Sequence, residues 1–303
     1  MGLTLVLRLC PGMFAALIVW LCVWQMPSFA AEFGGGAPSR KGPWGELIAQ
    51  ADALGLPTKF LRVIPPDYLA LEFEDLHAFA AEYHPQEHRM VLSLALSFNG
   101  AGGTLKPLNK MTHREVGTLF HEFFHAYMDY IGLRPGAPHL GSDIARLRAF
   151  AEDQRQCRYL VVAITPVAQR KGATEIRFLS EREAWEALNE SWAVFVGWAI
   201  WSQLELDGSS QKRRVVYATD RWLARLKQAD QEGSLIGYYE PEDQAERQLT
   251  NKRYLAPSHR LTPTEVQALL ELLLGASDKV AQRAASVMEQ QRPVLKEAAP
   301  CRS

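Results

Sequence analysis

Apolar residues recur at helical spacing in the middle of the chain, between Thr112 and Gly132. A threonine followed three residues later by a glutamate forms a capping box, so Thr112 and Glu115 predict the start of a helix. Gly132 and then Pro135 predict its end. The apolar positions cover most of the helix surface and are Val116, Leu119, Phe120, Phe123, Phe124 and Tyr127. The pattern therefore predicts a helix that is buried on most sides and turns its few polar residues to a cleft.

The flanking regions carry weaker patterns that predict the other elements. Apolar runs at 76–83 and 89–98, separated by a polar segment with a proline, indicate a β-hairpin before the central helix. A second capping box, Ser180 with Glu183, predicts a long helix that ends near Leu204. Further expected elements are helices at 44–54, 142–154, 262–274 and 278–290 and a strand pair at 159–165 and 175–179. This order predicts an α+β fold, with a small N-terminal mixed or antiparallel sheet packed on the central helix and a mainly helical part after it.

Residues 1–30 have the pattern of a targeting segment. Arg8 is followed by an uncharged run, and Ser28 and Ala30 supply the small residues that a signal peptidase reads. We expect cleavage after Ala30, and the alternative is an uncleaved membrane anchor formed by residues 9–26. Both outcomes predict export, to the periplasm or out of the cell, with membrane contact only if the segment is retained.

Charge and cysteine content narrow the candidate chemistry. A formal net charge of −1 without a basic block argues against a nucleic-acid partner. Cleavage of the leader leaves two cysteines, Cys157 and Cys301, and export permits a disulfide between them without requiring one. Two thiols cannot build a cysteine-rich zinc site, so any metal must be bound by histidines and carboxylates.

The central helix carries the segment His121-Glu122-Phe123-Phe124-His125. A separation of four residues corresponds to about 400° of helical rotation, so the two imidazoles point the same way and can share one metal ion. Glu122 lies beside them, where its carboxylate can take a proton from a water that the metal activates. The spacing therefore predicts a hydrolytic metal site.

A catalytic zinc site usually takes three protein ligands, so a third must be found. Ile131 occupies the position of a third histidine six residues after the second, so the third ligand must come from elsewhere, and the helix that starts at Ser180 offers Glu183, Glu186 and Glu190. Glu183 is explained by the capping box, whereas Glu190 borders an uncharged stretch that must be buried. A carboxylate there is costly unless it is paired or bound to a cation, which favours Glu190. The remaining alternatives are Glu186, His139 and Asp153.

Residues 121–130 resemble the active-site helix of the gluzincin metallopeptidases, most closely the thermolysin-like pattern H-E-x-x-H-A-x-x-D-Y. Asn189-Glu190 is similar to the Asn-Glu pair with which that group supplies its third zinc ligand from a second helix. The resemblance covers these two short segments. It implies a zincin-like fold, one zinc ion held by His121, His125 and Glu190, and Glu122 as base and then proton donor.

The same resemblance suggests roles for residues around the metal. The predicted hairpin would supply the edge strand along which the group aligns an extended peptide. Asp129 and Asn189 are candidates to orient the ligand side chains without touching the metal, and the alternative for Asp129 is an ordinary polar residue near a helix end. Candidate donors to the oxyanion lie in the C-terminal part and are Tyr238, Tyr239, Tyr254 and His259.

Two departures from the thermolysin-like pattern are visible. The segment between His125 and Glu190 is longer than in the compact members, which predicts an insertion that is looped out. Val194 stands where those enzymes carry an acidic residue, four positions after the ligand glutamate.

The expected organisation is 1–30 signal peptide or anchor, 31–43 flexible lead-in, 44–206 zincin-like catalytic core, 207–290 helical C-terminal subdomain and 291–303 tail.

The leading hypothesis is an exported zinc metallopeptidase, a hydrolase that acts on a peptide or protein substrate. The alternative is an exported zinc-binding envelope or interaction protein without peptidase turnover. A third interpretation makes the histidine spacing accidental and predicts no bound zinc. The sequence does not specify the substrate, the choice between endo- and exopeptidase action, or the oligomeric state.

Overall fold

Two long helices, α2 (His113–Gly132) and α4 (Glu181–Asp207), form the centre of the fold and make the most extensive contact between any two elements described. The computed structural model describes residues 42–77, 80–100, 102–132, 141–168, 172–207 and 220–290. The other helices are α1 (Gly42–Ala53), α3 (Ser142–Gln154), α5 (Asp220–Glu232), α6 (Gln244–Leu249), α7 (Pro263–Ala268) and α8 (Asp278–Glu289). The strands are β1 (Ala70–Glu74), β2 (Ala81–His84), β3 (Arg89–Ser93), β4 (Val161–Ile164), β5 (Glu175–Phe178), β6 (Tyr238–Tyr239) and β7 (Arg253–Tyr254). The fold is therefore of the mixed α+β class, with small sheets.

Both central helices begin where their capping boxes predicted. The Glu115 N–H donates to Thr112 Oγ1 at 3.2 Å, and the Thr112 N–H donates to Glu115 Oε2 at 2.6 Å. Ser180 and Glu183 make the same reciprocal pair at 3.1 and 3.0 Å. These bonds satisfy N–H groups that a first helical turn leaves without partners.

The N-terminal sheet has the strand order β1-β3-β2 and packs through β2 against the central helix α2. β2 and β3 form the expected antiparallel hairpin, and Ala81 pairs with Leu92 at its open end. The sequence pattern did not predict β1, which pairs in parallel with β3 and leaves β2 at an edge. The strand predicted to reach residue 98 ends at Ser93, because the Ser93 hydroxyl accepts the Ala95 N–H and starts a 3₁₀ turn.

The remaining elements are two short strand pairs and several helices that complete the fold around α4. β4 and β5 form the predicted antiparallel pair, and β6 and β7 form a second short pair. α3 spans the predicted range, while the helix expected at 262–274 continues beyond α7 as a π-helical turn, Leu269–Leu273. β6 packs on α4, which brings the β6–β7 pair to the side of the central helices that faces away from the core.

Several predictions concern residues beyond those described. The targeting segment, the lead-in to residue 41, His139 and the tail lie outside the described residues, as does Cys301. Cys157 is disulfide-bonded. The described residues belong to one compact unit, Ala37–Ser303, and the division expected after residue 206 stays a prediction. Among the described helices, none is both long and apolar enough to cross a membrane.

Candidate metal centre

His121 and His125 lie one turn apart on the face of α2 that is turned to α4. Their Nε2 atoms are 3.1 Å apart, and the rings meet edge to face with centroids 4.7 Å apart. Both rings therefore direct a nitrogen lone pair or proton to the same small volume, as the spacing of four residues predicted.

Glu190 reaches this volume from α4. Its Oε2 lies 3.5 Å from His121 Nε2, and its Oε1 lies 3.3 Å from His125 Nε2. One ligand atom from each of the three residues can be chosen so that all lie within 4.8 Å of one another. Among the described residues this is the one group of three or more histidine, cysteine or acidic side chains with such geometry. The three residues could therefore hold a metal ion.

Two glycines set how closely the two helices approach. A Cβ on Gly197 would lie 2.8 Å from the carbonyl oxygen of Gly117 and 3.2 Å from His121 Cβ. A Cβ on Gly117 would lie 2.9 Å from the carbonyl oxygen of Gly197. Such distances are too short for real carbon–oxygen contacts, so only glycine at both positions lets α2 and α4 meet here. The crossing brings His121 within reach of Glu190.

The charges in this group are strongly coupled because burial removes them from water. Burial lowers the pKa of His125 to about 4, helped by the charges of His121 and Lys252 and opposed by Glu190. Burial would also lower the pKa of His121, but its hydrogen bond to Glu190 and the charges of Glu122 and Glu190 raise it. Burial would raise the pKa of Glu190, yet the two imidazoles and a hydrogen bond from Tyr238 lower it to about 2. Glu190 is thus held as a carboxylate, the form in which it binds a metal.

One oxygen of Glu190 lacks a normal partner. Glu190 Oε2 is buried and makes no hydrogen bond within the described residues. A buried carboxylate oxygen without a hydrogen bond is unfavourable, and a cation would supply the missing interaction. Two imidazole nitrogens and one carboxylate oxygen are also the donor set of many catalytic zinc sites. The residues present therefore fit a zinc ion.

Glu122 lies beside the group without belonging to it. Its Oε1 is 3.9 Å from His121 Nε2, and its Oε2 accepts the backbone N–H of Tyr83 at 3.0 Å. Burial raises the pKa of Glu122 to about 7, with the His121 charge and the Tyr83 N–H opposing the rise. A carboxyl group with a pKa near neutrality can both take up and return a proton, as a general base and acid must.

Asp129 is placed differently from the orienting role suggested by the resemblance. Asp129 Oδ2 accepts the hydroxyl protons of Tyr68 at 2.8 Å and Tyr83 at 2.6 Å, and it lies 2.9 Å from His88 Nδ1. These partners belong to the sheet side of the molecule and include neither His121 nor His125. One turn beyond His125, the Asp129 side chain points to the sheet, where it anchors the Tyr83 side chain and thus the strand that contacts Glu122.

Asn189 lies next to His125, where its side chain favours the charged imidazole. Its amide oxygen is buried and makes no hydrogen bond within the described residues. The contact with His125 places Asn189 next to the metal-ligand group.

The four oxyanion candidates divide between two faces of the molecule. Tyr238 and Tyr254, which pair across β6 and β7, line the cleft above the histidines. Tyr239 points the other way, since successive residues of a strand face opposite sides, and it is buried. His259 packs edge to face on Tyr159, with ring centroids 5.4 Å apart, and is not part of the cleft.

The cleft has a volume of about 1350 Å³ and extends along both central helices. One wall is the edge strand β2, and the opposite wall is formed by α4 together with the β6–β7 pair. Glu186 lines the same cleft, but its Oε1 accepts the Glu240 N–H at 2.9 Å, and Glu186 is outside the ligand group. Asp153 is likewise outside that group.

Sequence reasoning missed Lys252, one of several charged residues that line this cleft. Its Nζ donates to the Tyr238 hydroxyl at 2.7 Å and lies 3.9 Å from the centre of the Tyr238 ring. Lys252 follows α6 and precedes β7, far from the motif in sequence, and no local pattern marks it.

Comparison of the chain with protein-family models, with curated proteins and with solved structures finds no match.

Proposed function

We propose that this protein is an exported zinc-dependent peptidase with a zincin-like fold. The observation that carries the proposal is the convergence of His121, His125 and Glu190 beside Glu122, on two helices that a pair of glycines holds in contact. The order of a small sheet, a motif helix and a second helix with the third ligand supports the zincin-like assignment.

Each residue of the site has a distinct task. His121, His125 and Glu190 would hold the zinc ion, which supplies a positive charge that polarises a peptide carbonyl and lowers the pKa of water. Glu122 would take the proton from the attacking water and then deliver it to the leaving amine. The pKa of Glu122 near 7 suits both transfers at neutral pH.

The edge strand β2 supports a peptide as the substrate. The Ser93 N–H donates to the Ala80 carbonyl, so in this antiparallel pair residues 82 and 84 also bond to β3 and residues 81 and 83 do not. The backbone groups of Ala81 and Tyr83 therefore point away from β3 to the cleft, where β2 lies in its wall. An extended peptide could add to this edge as a further strand.

The Tyr83 N–H is one of these outward groups, and Glu122 Oε2 accepts it. The proton-transfer group is therefore held against the strand along which the substrate would lie. This contact would place Glu122 beside the scissile bond of a peptide bound to β2.

Substitution of the proton-transfer group tests the proposal. Glu122→Gln keeps the size of the side chain but removes the base, so peptide cleavage should fall roughly 10²–10⁴-fold. Zinc content, measured by mass spectrometry, should stay at the wild-type level because Glu122 is outside the ligand group. Glu232→Gln, an exposed residue on α5, is the matched control and should cleave at the wild-type rate.

Cleavage and zinc measurements on these proteins also separate the three interpretations of the sequence. Equal cleavage by Glu122→Gln and wild type would show that the mechanism is wrong. Stoichiometric zinc without turnover of any peptide in a library would favour a zinc-binding envelope protein. Absence of zinc from the wild-type protein would leave the histidine spacing without a function.

A further inference from the structure

Lys252 and Tyr238 form a pair at the wall of the cleft that faces the metal-ligand group. β6 and β7 bring the two residues together, since Tyr238 pairs with Tyr254 and Lys252 immediately precedes β7. The Lys252 carbonyl accepts the Thr250 hydroxyl at 3.0 Å, which fixes the backbone at this point. The Lys252 side chain is half-buried, and its Nζ lies 2.7 Å from the Tyr238 hydroxyl oxygen.

The direction of this hydrogen bond follows from the chemistry of the two groups. An ammonium group has three donors and no acceptor, whereas a phenol can accept and has one proton to donate. Lys252 must therefore be the donor, and the single O–H of Tyr238 is left for another acceptor. Tyr238 and Glu190 line the same cleft, and the charge of the Glu190 carboxylate acts on the Tyr238 hydroxyl.

Binding of a cation by Glu190 changes what the Tyr238 hydroxyl can do. A Glu190 carboxylate that shares electron density with a cation is a weaker acceptor for the Tyr238 hydroxyl. Lys252 has no acceptor, so the Tyr238 hydroxyl cannot donate its proton to Lys252 instead. A hydrogen bond from an ammonium also polarises the phenol, which makes its O–H a stronger donor. An oxygen of a bound substrate that gains negative charge would then offer this hydroxyl an acceptor in the cleft.

We propose that Lys252 is a positioning residue that directs and strengthens the Tyr238 O–H as the donor to the carbonyl oxygen of the scissile bond during hydrolysis. Lys252 acts through Tyr238 and does not touch the substrate. This inference rests on the proposed peptidase function and adds to it a residue, Lys252, that the motif does not contain.

Kinetics of substituted enzymes test the inference. Tyr238→Phe should lower kcat about 100-fold, the cost of losing one donor to an oxyanion. Lys252→Met should lower kcat about tenfold and change KM less than about twofold, because the donor remains but is neither directed nor polarised. Lys252→Arg keeps a donor-only cation and should recover most of the loss. Lys279→Met, an exposed lysine of α8 outside the cleft, is the matched control.

A double-substitution cycle distinguishes action through Tyr238 from a general electrostatic effect of Lys252. In the Tyr238→Phe background, Lys252→Met should have almost no further effect on kcat, because the group through which it acts is gone. An undiminished tenfold loss in that background would overturn the inference. Zinc content should be equal in all variants, which shows that a structural collapse of the site is not the cause.

A binding measurement gives the same test without turnover. A phosphinic dipeptide carries its charge on oxygens in the tetrahedral arrangement of the reaction, so its Kd for the zinc-loaded protein should rise about tenfold with Lys252→Met. Equal kcat and equal Kd in Lys252→Met and wild type, with cleavage intact, would overturn this inference alone. A zinc-loaded wild type that neither cleaves peptides nor binds the phosphinic dipeptide would overturn both the proposed function and this inference.

Discussion

Glu190 on α4 and Glu265 on α7 are two carboxylates withdrawn from water, and their surroundings satisfy them to opposite extents. Glu265 is fully buried, and its carboxylate accepts bonds from the Tyr159 hydroxyl at 2.9 Å and Trp192 Nε1 at 3.0 Å. Arg158 forms an ion pair with it, and Thr262 contributes a backbone N–H at 2.7 Å. Glu190, in contrast, has an oxygen without any hydrogen bond within the described residues.

The difference shows how a structural carboxylate can be told from a ligand. Donors on all sides of Glu265 outweigh burial and hold its pKa below the ordinary value, so it can stay charged without any further partner. Glu190 stays charged because two imidazoles face it, but imidazole nitrogens that bind a metal must give up their protons. The cluster around Glu265 is complete as it stands, whereas the group around Glu190 needs a cation to complete it.

The two clusters are joined through one helix. Trp192, which donates to Glu265, follows Glu190 by two residues on α4, so one contact points to the core and the other to the cleft. Arg158 and the capping box of α7 fix the position of Glu265. Glu265 in turn anchors the core-facing side of α4, the helix that carries the proposed third ligand.

The largest expected effect is on zinc affinity. Glu190→Gln should weaken zinc binding by more than about 10³-fold, since loss of a ligand exceeds the roughly 10–100-fold cost of losing an outer partner. Glu265→Gln, the same change in the satisfied cluster, should leave zinc affinity within about tenfold of wild type. Competition titration with a chromogenic chelator measures both. Equal loss of zinc affinity in the two variants would contradict the distinction between Glu190 as a ligand and Glu265 as a structural carboxylate.

The converse effect is expected on folding stability. Glu265→Gln leaves Arg158 mostly buried without its counter-charge, which should lower the free energy of unfolding by about 3–5 kcal/mol. Denaturation by urea, with the metal removed by chelation, measures the change. An unaltered free energy of unfolding in this variant would contradict a structural role for the Glu265 cluster.

Parts of both regions could be predicted from the sequence because their signals are local. His121, Glu122 and His125 are placed by helical periodicity alone, and Glu190 is marked by the uncharged stretch after it. The capping box at Ser180 marks the start of the second helix. Each of these signals depends on neighbours within one or two helical turns.

Other parts of the fold and the site depend on contacts between distant segments, so the sequence predicts them less well. β1 is only five residues long, with one face exposed and the other only partly buried, so its alternating pattern is too short to stand out. Lys252 reaches the site only through the pairing of β6 with β7. The glycines at the helix crossing did carry a signal, because glycine inside a helix costs about 1 kcal/mol relative to alanine and a buried helix that keeps it needs a reason.

The helix crossing gives a prediction of intermediate size. Gly197→Ala should force α2 and α4 apart, weakening zinc affinity roughly 10–100-fold and lowering the free energy of unfolding by about 1–3 kcal/mol. Gly132→Ala is the matched control, since a Cβ there meets nothing within 4 Å. If both variants bind zinc as the wild type does, the glycine contact does not set the geometry of the site.

The smallest effect is in the pH dependence of stability. The pKa of Glu265 is lower in the folded protein than its ordinary value of 4.5, so the folded state binds fewer protons. The stabilisation by ionised Glu265 is therefore complete above pH 4.5 and is lost as the pH falls through the folded pKa, by at most about 1.4 kcal/mol per pH unit. The advantage of wild type over Glu265→Gln should shrink over this range in urea titrations. A difference in the free energy of unfolding that stays constant at all pH values would contradict the lowered pKa of Glu265.

X-ray absorption at the zinc edge, on wild-type protein loaded with one equivalent of zinc, tests directly whether two histidines and a carboxylate hold the ion. We expect one tightly bound ion whose ligands are all nitrogen or oxygen at about 2.0–2.2 Å, with the scattering of two imidazoles. A sulfur ligand at about 2.3 Å, a number of imidazoles other than two, or zinc that is lost on desalting would contradict this site.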